Sequence, residues 1–215
     1  MTSVTTTHLG ELRLDALTLT VPLTTDAADE RTIDIFARIA TKKGGENLPY
    51  LVFLQGGPGN EAPRPSLVPL NPSWLGVALE HYRVVLLDQR GTGLSSPVGN
   101  DILDSHTAQE VAEYLSHLRA DGIVRDCEAI RKHLGAETWN LLGQSFGGFT
   151  TLHYLSTHPD ALDQVFITGG LSAIGRPAEE VYANCYGRMQ RNSEQFYRSF
   201  PQHRDTIRNL VDAAN

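Results

Sequence analysis

The chain has 215 residues, 40% of them hydrophobic and 20% charged, with a mean hydropathy of −0.24. That balance belongs to one globular domain with an appendage, and excludes a disordered or fibrous chain. Eighteen Lys and Arg stand against 25 Asp and Glu, and a formal net charge of −7 lacks the cationic footprint that holds nucleic acid. No apolar run approaches the roughly 20 residues that cross a bilayer. The first ten residues, MTSVTTTHLG, have neither the basic nor the apolar segment of a secretory leader, so the expected location is cytoplasmic. Neither nucleic acid nor a membrane is expected as a partner. Cys127 and Cys185 are too few for a disulfide framework and read as reduced, partly buried thiols.

Residues 11–21 (ELRLDALTLTV) and 32–40 (TIDIFARIA) alternate apolar and polar side chains. Each reads as a half-buried strand, and the turn-rich stretch from Pro22 to Arg31 joins them as an antiparallel pair at a sheet edge. Tyr50–Leu54, Val84–Leu87, Trp139–Leu142 and Val165–Thr168 are short continuous apolar runs, which suit strands buried on both faces. Helical periodicity lies between them, over Ala108–Leu118, Ile123–Leu134 and Phe149–Ser156. The alternation predicts an α/β fold with a mostly parallel sheet and an antiparallel N-terminal pair. Arg131, Lys132 and His133, before Gly135, suit the negative end of a helix.

After Gly169-Gly170 the texture changes, and residues 177–215 hold no strand-like run. Pro177 is placed to open a helix, with Val181, Cys185 and Met189 along one face. Asn192 followed by Gln195 has capping-box spacing and predicts a second helix that stops at Pro201. Ile207, Leu210, Val211 and Ala214 form a third stripe. The expected organisation is a core over residues 1–170 and the start of a helical lid over 171–215.

Three loops carry the chemistry. Gly143-Gln144-Ser145-Phe146-Gly147 is a G-x-S-x-G pattern between an apolar strand and a helix. A nucleophile on so sharp a turn needs glycine two residues to either side, because side chains there would collide. The turn lifts the Ser145 hydroxyl clear of the sheet, and the Phe146 amide points toward a developing oxyanion, aided by the helix N-terminus. Gln55-Gly56-Gly57-Pro58-Gly59 follows the strand 50–54 and offers the Gly57 amide as the second oxyanion donor. Standing alone, the same loop also reads as a plain Gly-Pro turn. Asp88-Gln89-Arg90-Gly91-Thr92-Gly93-Leu94-Ser95-Ser96-Pro97 partly imitates a dinucleotide fingerprint, but Ser96 holds the sixth position and Pro97 discourages the helix that a nucleotide site requires. The eight histidines form no HExxH and no Cys/His ligand spacing, so no metal is expected.

Strand–QGGPG, strand–DQRGTGLS and strand–GQSFGG, in that order, resemble the prolyl aminopeptidases (proline iminopeptidases) of the α/β-hydrolase fold. The likeness runs from about Tyr50 to Gly170, and FITGGL with the Val181-Tyr182…Tyr186 helix resembles the longer-chain branch. The resemblance implies a strand order of 1-2-4-3-5-6-7-8 and a serine exopeptidase that releases N-terminal proline from a peptide with a free N-terminus. Ser145 would be the nucleophile, with the Phe146 and Gly57 amides as the oxyanion hole and no metal or organic cofactor. Gln55 stands where many relatives have His, a change expected to tune the loop.

The resemblance also requires Asp and His after Ser145, in the order Ser…Asp…His. His153, His158, Asp160, Asp163, His203 and Asp205 follow Ser145, and none is placed in sequence to fold back over the hydroxyl. The expectation is that the C-terminal strands are absent from this chain and that a C-terminal partner segment supplies both residues. A truncated, cleaved or split enzyme would each fit. Glu179, Glu180 and Glu194 are the lid carboxylates available for an α-amino group, and Tyr182, Tyr186, Phe196, Tyr197 and Phe200 could line a proline-sized pocket. A solvated helix face and ordinary core packing account for the same residues. Two further readings stay open: a small-substrate esterase or amidase, because elbow and loop do not encode the leaving group, and a catalytically silent module that binds a partner through its strand edge.

Overall fold

β-Branched and alternating residues build the antiparallel side of the sheet. The structure, a computed structural model, describes residues 2–67, 70–100, 102, 106–170 and 175–214. The expected pair is present as β2 (Leu12–Pro22) and β3 (Thr32–Lys42), antiparallel from Leu12↔Lys42 to Pro22↔Thr32. It is not the sheet edge. A further strand, β1 (Thr2–Leu9), pairs with β2 along its whole length through the two-residue Gly10-Glu11 turn. Its sequence, TSVTTTHL, supplies β-branched residues without apolar alternation, so strand propensity acts there with no buried face. β3 also departs from the expected one wet face. Ile33, Ile35, Ala37 and Ile39 enter one core and Ala40 the opposite one, because β3 lies between β2 and β7 with both faces covered.

The continuous apolar runs form the parallel side: β4 (Tyr50–Leu54), β7 (Arg83–Leu87), β8 (Trp139–Gln144) and β9 (Leu162–Thr168). Two short strands, β5 (Ser66–Leu67) and β6 (Leu70–Asn71), pair separately. The main sheet runs β1-β2-β3-β7-β4-β8-β9. For the six strands read from the sequence this is the order 1-2-4-3-5-6. On one face, Ile123, Val124, Cys127 and Ile130 of α3 (Ala120–His133) and Tyr154 of α4 (Phe146–Thr157) pack on Leu17, Ile35, Val52, Val85 and Trp139. On the other, α1 (Leu75–Ala78) and Leu79 cover Leu14, Phe53 and Leu86. Before α3, Thr107 and Glu110 form a reciprocal capping box at the head of α2 (Ala108–Ser116). β9 closes the described sheet, with Phe166 and Ile167 exposed.

α3 carries a buried polar network that the sequence reading assigned only to its helix end. Arg131 does cap the chain beyond the helix, donating to the Ala136 and Glu137 carbonyls at 2.7 and 2.6 Å. It also grips both oxygens of Glu128, at 2.8 and 2.7 Å, while Tyr154 Oη donates to Glu128 Oε1 at 2.6 Å and accepts from Trp139 Nε1 at 3.1 Å. The Arg131 bonds first, then Tyr154, outweigh burial and hold the Glu128 carboxyl at about 2, against an ordinary 4.5. A carboxyl lowered on folding stabilises the protein above its unfolded value, and that contribution is lost as pH falls from about 4.5 to 2. Glu128→Gln is therefore expected to cost on the order of 2 kcal/mol at pH 7 and progressively less below pH 4. Thermal midpoints of both proteins between pH 2.5 and 7 measure this, and curves that run parallel across the range would contradict it.

The chain divides into two compact units, Met1–Ser172 and Ala173–Asn215. The second contains α5 (Ala178–Ser199) and α6 (His203–Ala214). Pro177 is the N-cap of α5, but the helix passes through Asn192 without a break, which corrects the expected start of a helix there. Asn and Ser are only mildly unfavourable inside a helix, and strong helix formers flank them, so spacing alone does not make a cap. The helix stops at Pro201 as expected. Cys127 is buried, whereas Cys185 on α5 is exposed rather than partly buried. Among the described residues no helix is long and apolar enough to cross a membrane, and no His, Cys, Asp and Glu group could hold a metal.

Candidate active site

Ser145 occupies the turn between β8 and α4 with φ 53° and ψ −115°. Few non-glycine residues adopt a positive φ, and holding one there costs roughly 1–3 kcal/mol, which the surroundings must enforce. The surroundings do so through backbone contacts. The Ser145 amide donates to the Thr168 carbonyl of β9 at 2.8 Å, and its carbonyl accepts from the Phe149 amide at 3.1 Å. A Cβ on Gly147 would overlap the Leu54 carbonyl of β4. A Cβ on Gly143 would overlap Thr151 Oγ1 and lie 2.5 Å from the Gly147 carbonyl oxygen. Glycine is thus required at both positions, as the pattern suggested. At Gly147, however, the obstacle is the neighbouring strand and not the turn itself. Gly148 serves another approach, since its Cβ would stand 2.8 Å from Gly170 Cα.

Ser145 is exposed, and its hydroxyl makes no capping bond to α4. Phe146 is the first residue of that helix, where the backbone N–H has no intrahelical acceptor and the dipole adds positive potential. The 55–59 loop packs directly on the turn, since a Cβ on Gly56 would lie 3.0 Å from Ser145 Cβ and 3.1 Å from the Gln144 carbonyl oxygen. Gly57 has φ +127°, a conformation that residues with side chains rarely adopt. A cavity of about 310 Å³ opens beside this loop, walled by Pro58, Gly59, Leu115, Leu118, Ile123 and Phe146. Another, of about 250 Å³, lies among Arg13, Glu46, Tyr50 and Arg83, at the amino ends of β4 and β7, the end of the sheet opposite Ser145.

The DQRGTGLS stretch spends its polar groups inside the protein. Asp88 is fully buried and accepts from the Ala62 and Leu94 amides at 3.0 and 2.9 Å and from Arg64 at 2.9 and 2.6 Å. Ser95 Oγ donates to the Asp88 carbonyl at 2.5 Å and accepts from the Phe36 amide at 2.8 Å. Gln89 Nε2 donates to the Gln55 carbonyl at 2.7 Å. Sequence reading missed these supports. The available signal was their place directly after an apolar strand, at the carboxyl end of the sheet where α/β proteins build their sites.

The Asp and His residues after Ser145 are dispersed. His153 is half-buried on α4, His158 is bonded to Thr157 Oγ1 at 2.9 Å, Asp160 lies in a short 3₁₀ turn, and Asp163 is exposed on β9. His203 and Asp205 stand on α6. No hydrogen bond joins any of them to the Ser145 hydroxyl among the described residues. Within the second unit Glu180 pairs with Arg176 at 3.1 Å and Glu194 accepts from Gln190 at 3.3 Å. Tyr182, Tyr186 and Phe196 on α5 and Phe200 at its C-cap are exposed, and Tyr197 is half-buried.

Residues 49–207 match the family described as alpha/beta hydrolase fold. The chain belongs to that family. Among its relatives, a proline iminopeptidase of Aeromonas sobria is 48% identical over 196 residues, which is 89% of this chain and 45% of the relative. A proline iminopeptidase of Aspergillus aculeatus is 35% identical over 213 residues, 94% of this chain and 47% of the relative. Of the solved structures, a 2-hydroxy-6-oxo-6-phenylhexa-2,4-dienoate hydrolase from a Rhodococcus species is 18% identical with a TM-score of 0.47, covering 85% of this chain and 52% of that one. The chain spans about half the length of the curated relatives it matches. The order of the six strands read from the sequence and the strand–turn–helix at Ser145 agree with what the resemblance implied.

Proposed function

We propose that this hydrolase chain carries the nucleophile of a serine exopeptidase that releases an N-terminal residue, proline above all, from peptides with a free N-terminus. The observation that carries the proposal is Ser145 held at positive φ on the head of α4, with the 55–59 loop packed against it. Similarity to proline iminopeptidases supports the substrate class. The apolar cavity beside Phe146 suits an uncharged side chain, because the polar groups of Gln89, Arg90 and Thr92 on its wall are already bonded internally.

In this reading Ser145 Oγ attacks the carbonyl carbon of the N-terminal residue while a His takes its proton. The carbonyl oxygen becomes an oxyanion between the amides of Phe146 and Gly57, which are fixed before the charge appears. Collapse breaks the C–N bond, and the departing amine takes the proton from the His. Water, deprotonated by the same His, then hydrolyses the ester and restores Ser145. A segment supplying that His and its Asp partner is part of the proposal. The outer edge of β9, which no strand pairs among the described residues, and the exposed Phe166 and Ile167 support its docking there. The helical unit from residue 173 serves in this reading as the start of a lid.

The test is turnover by the native protein, with all segments it carries in the cell. A proline arylamide is expected to be the better substrate, and Ser145→Ala to lose at least about three orders of magnitude in rate. Hydrolysis of short-chain aryl esters with no cleavage of the proline arylamide would overturn the exopeptidase reading in favour of a small-substrate esterase.

A further inference from the structure

We infer that Gln89 is a positioning residue, whose side-chain amide fixes the Gln55–Gly56 peptide and through it the direction of the Gly57 N–H. The inference rests on the reading of Gly57 as an oxyanion donor.

Ladder pairing of β4 stops at Phe53↔Leu86 on one side and Leu54↔Gly143 on the other, so the Gln55 carbonyl has no strand partner. Gln89 Nε2 supplies one at 2.7 Å. The same oxygen lies 3.0 Å from where a Cβ on Gly147 would stand, so it abuts the elbow helix as well as the Gln89 amide. A peptide unit is planar, and fixing its C=O fixes its N–H in the reverse direction. Only the torsions of Gly56 then remain to aim the Gly57 N–H, and Gly56 is itself confined against Ser145.

Gln89 is suited to the task because it is buried and its backbone is bonded in place. It is 5% exposed, and its own carbonyl accepts from the Thr92 amide at 3.0 Å and from Thr92 Oγ1 at 2.7 Å. Asp88, its neighbour, holds the far end of the same loop through Ala62 and Arg64. Residues 55–64 are thus tied at both ends to two consecutive residues at the carboxyl end of β7. The chemistry at position 89 is specific, since an acceptor carbonyl requires a donor, and a carboxylate of the same shape would repel it.

The experiment compares Gln89→Glu and Gln89→Met with the parent in the native protein. Hydrogen–deuterium exchange of residues 56–60 and the rate of Ser145 phosphonylation by a fluorophosphonate are measured beside the thermal midpoint. Gln89→Glu is expected to speed exchange of that segment about 10-fold or more and to slow phosphonylation about 10- to 100-fold, approaching the loss of one oxyanion donor. Gln89→Met removes the donor without adding a charge and is expected to fall between Glu and the parent. Parent-like exchange and labelling in both variants, or equal defects that track only the thermal midpoint, would overturn the inference. A parent protein that takes no label would overturn the exopeptidase reading, while the exchange data would still decide the role of Gln89.

Discussion

Gly147→Ala is expected to slow covalent labelling of Ser145 by a fluorophosphonate on the order of 100-fold and to destabilise the protein by roughly 1–3 kcal/mol. The methyl group has nowhere to go. It would overlap the Leu54 carbonyl and lie 2.5 Å from the Leu54 carbonyl carbon. Leu54 is fully buried on a strand paired on both sides, so β4 cannot retreat cheaply. The elbow must swing instead, carrying Ser145 and the Phe146 amide away from the 55–59 loop. A displacement near 1 Å at a reacting centre is enough for a loss of this size. Gly44→Ala is the control. Unlike Gly147, Gly44 has a positive φ, +83°, but a Cβ there meets nothing within 4 Å. Its cost is conformational only, and labelling of Ser145 is expected to be unchanged. Parent-like labelling of Gly147→Ala would contradict the geometry.

The second large effect is structural. Asp126→Ala is expected to cost about 3–5 kcal/mol in urea unfolding, because it strands a buried charge. Arg90 has no exposed side-chain surface. Its Nε and Nη2 donate to the two Asp126 oxygens at 2.8 and 2.6 Å, and Nη1 donates to the Leu23 and His117 carbonyls at 3.0 and 2.7 Å. One ion pair therefore joins the loop after β7, the turn after β2, the end of α2 and the middle of α3. Removing the carboxylate leaves the guanidinium uncompensated, whereas replacing both partners with apolar residues of similar volume removes the stranded charge and costs only the bonds to the Leu23 and His117 carbonyls. The pair Arg90→Met with Asp126→Leu is accordingly expected to be less damaging than Asp126→Ala alone. A single substitution costing under about 1 kcal/mol would show that the pair does not organise these segments.

What the sequence disclosed follows the physics of each element. β4, β7 and β8 were legible because strands buried on both faces must be continuously apolar. β1 was not, because threonines exposed on an edge strand carry propensity without a pattern. The elbow was legible because steric exclusion dictates glycine at Gly143 and Gly147, and exclusion leaves a mark in sequence. Its supports were not. Gln89 reaches a main-chain carbonyl 34 residues away, and Asp88 reaches amides and a guanidinium on separate loops, so no local spacing announces them. At Asn192 the opposite error arose, because capping-box spacing also occurs inside an uninterrupted helix.

The most direct measurement is peptide mapping of the native full-length protein after exposure to a fluorophosphonate, followed by the structure of the adduct. A phosphonyl group is expected on Ser145 Oγ, with one phosphonyl oxygen within hydrogen-bond reach of both the Gly57 and Phe146 amides. A label on another residue, no label at all, or an adduct whose oxygen turns away from those two amides would contradict this expectation.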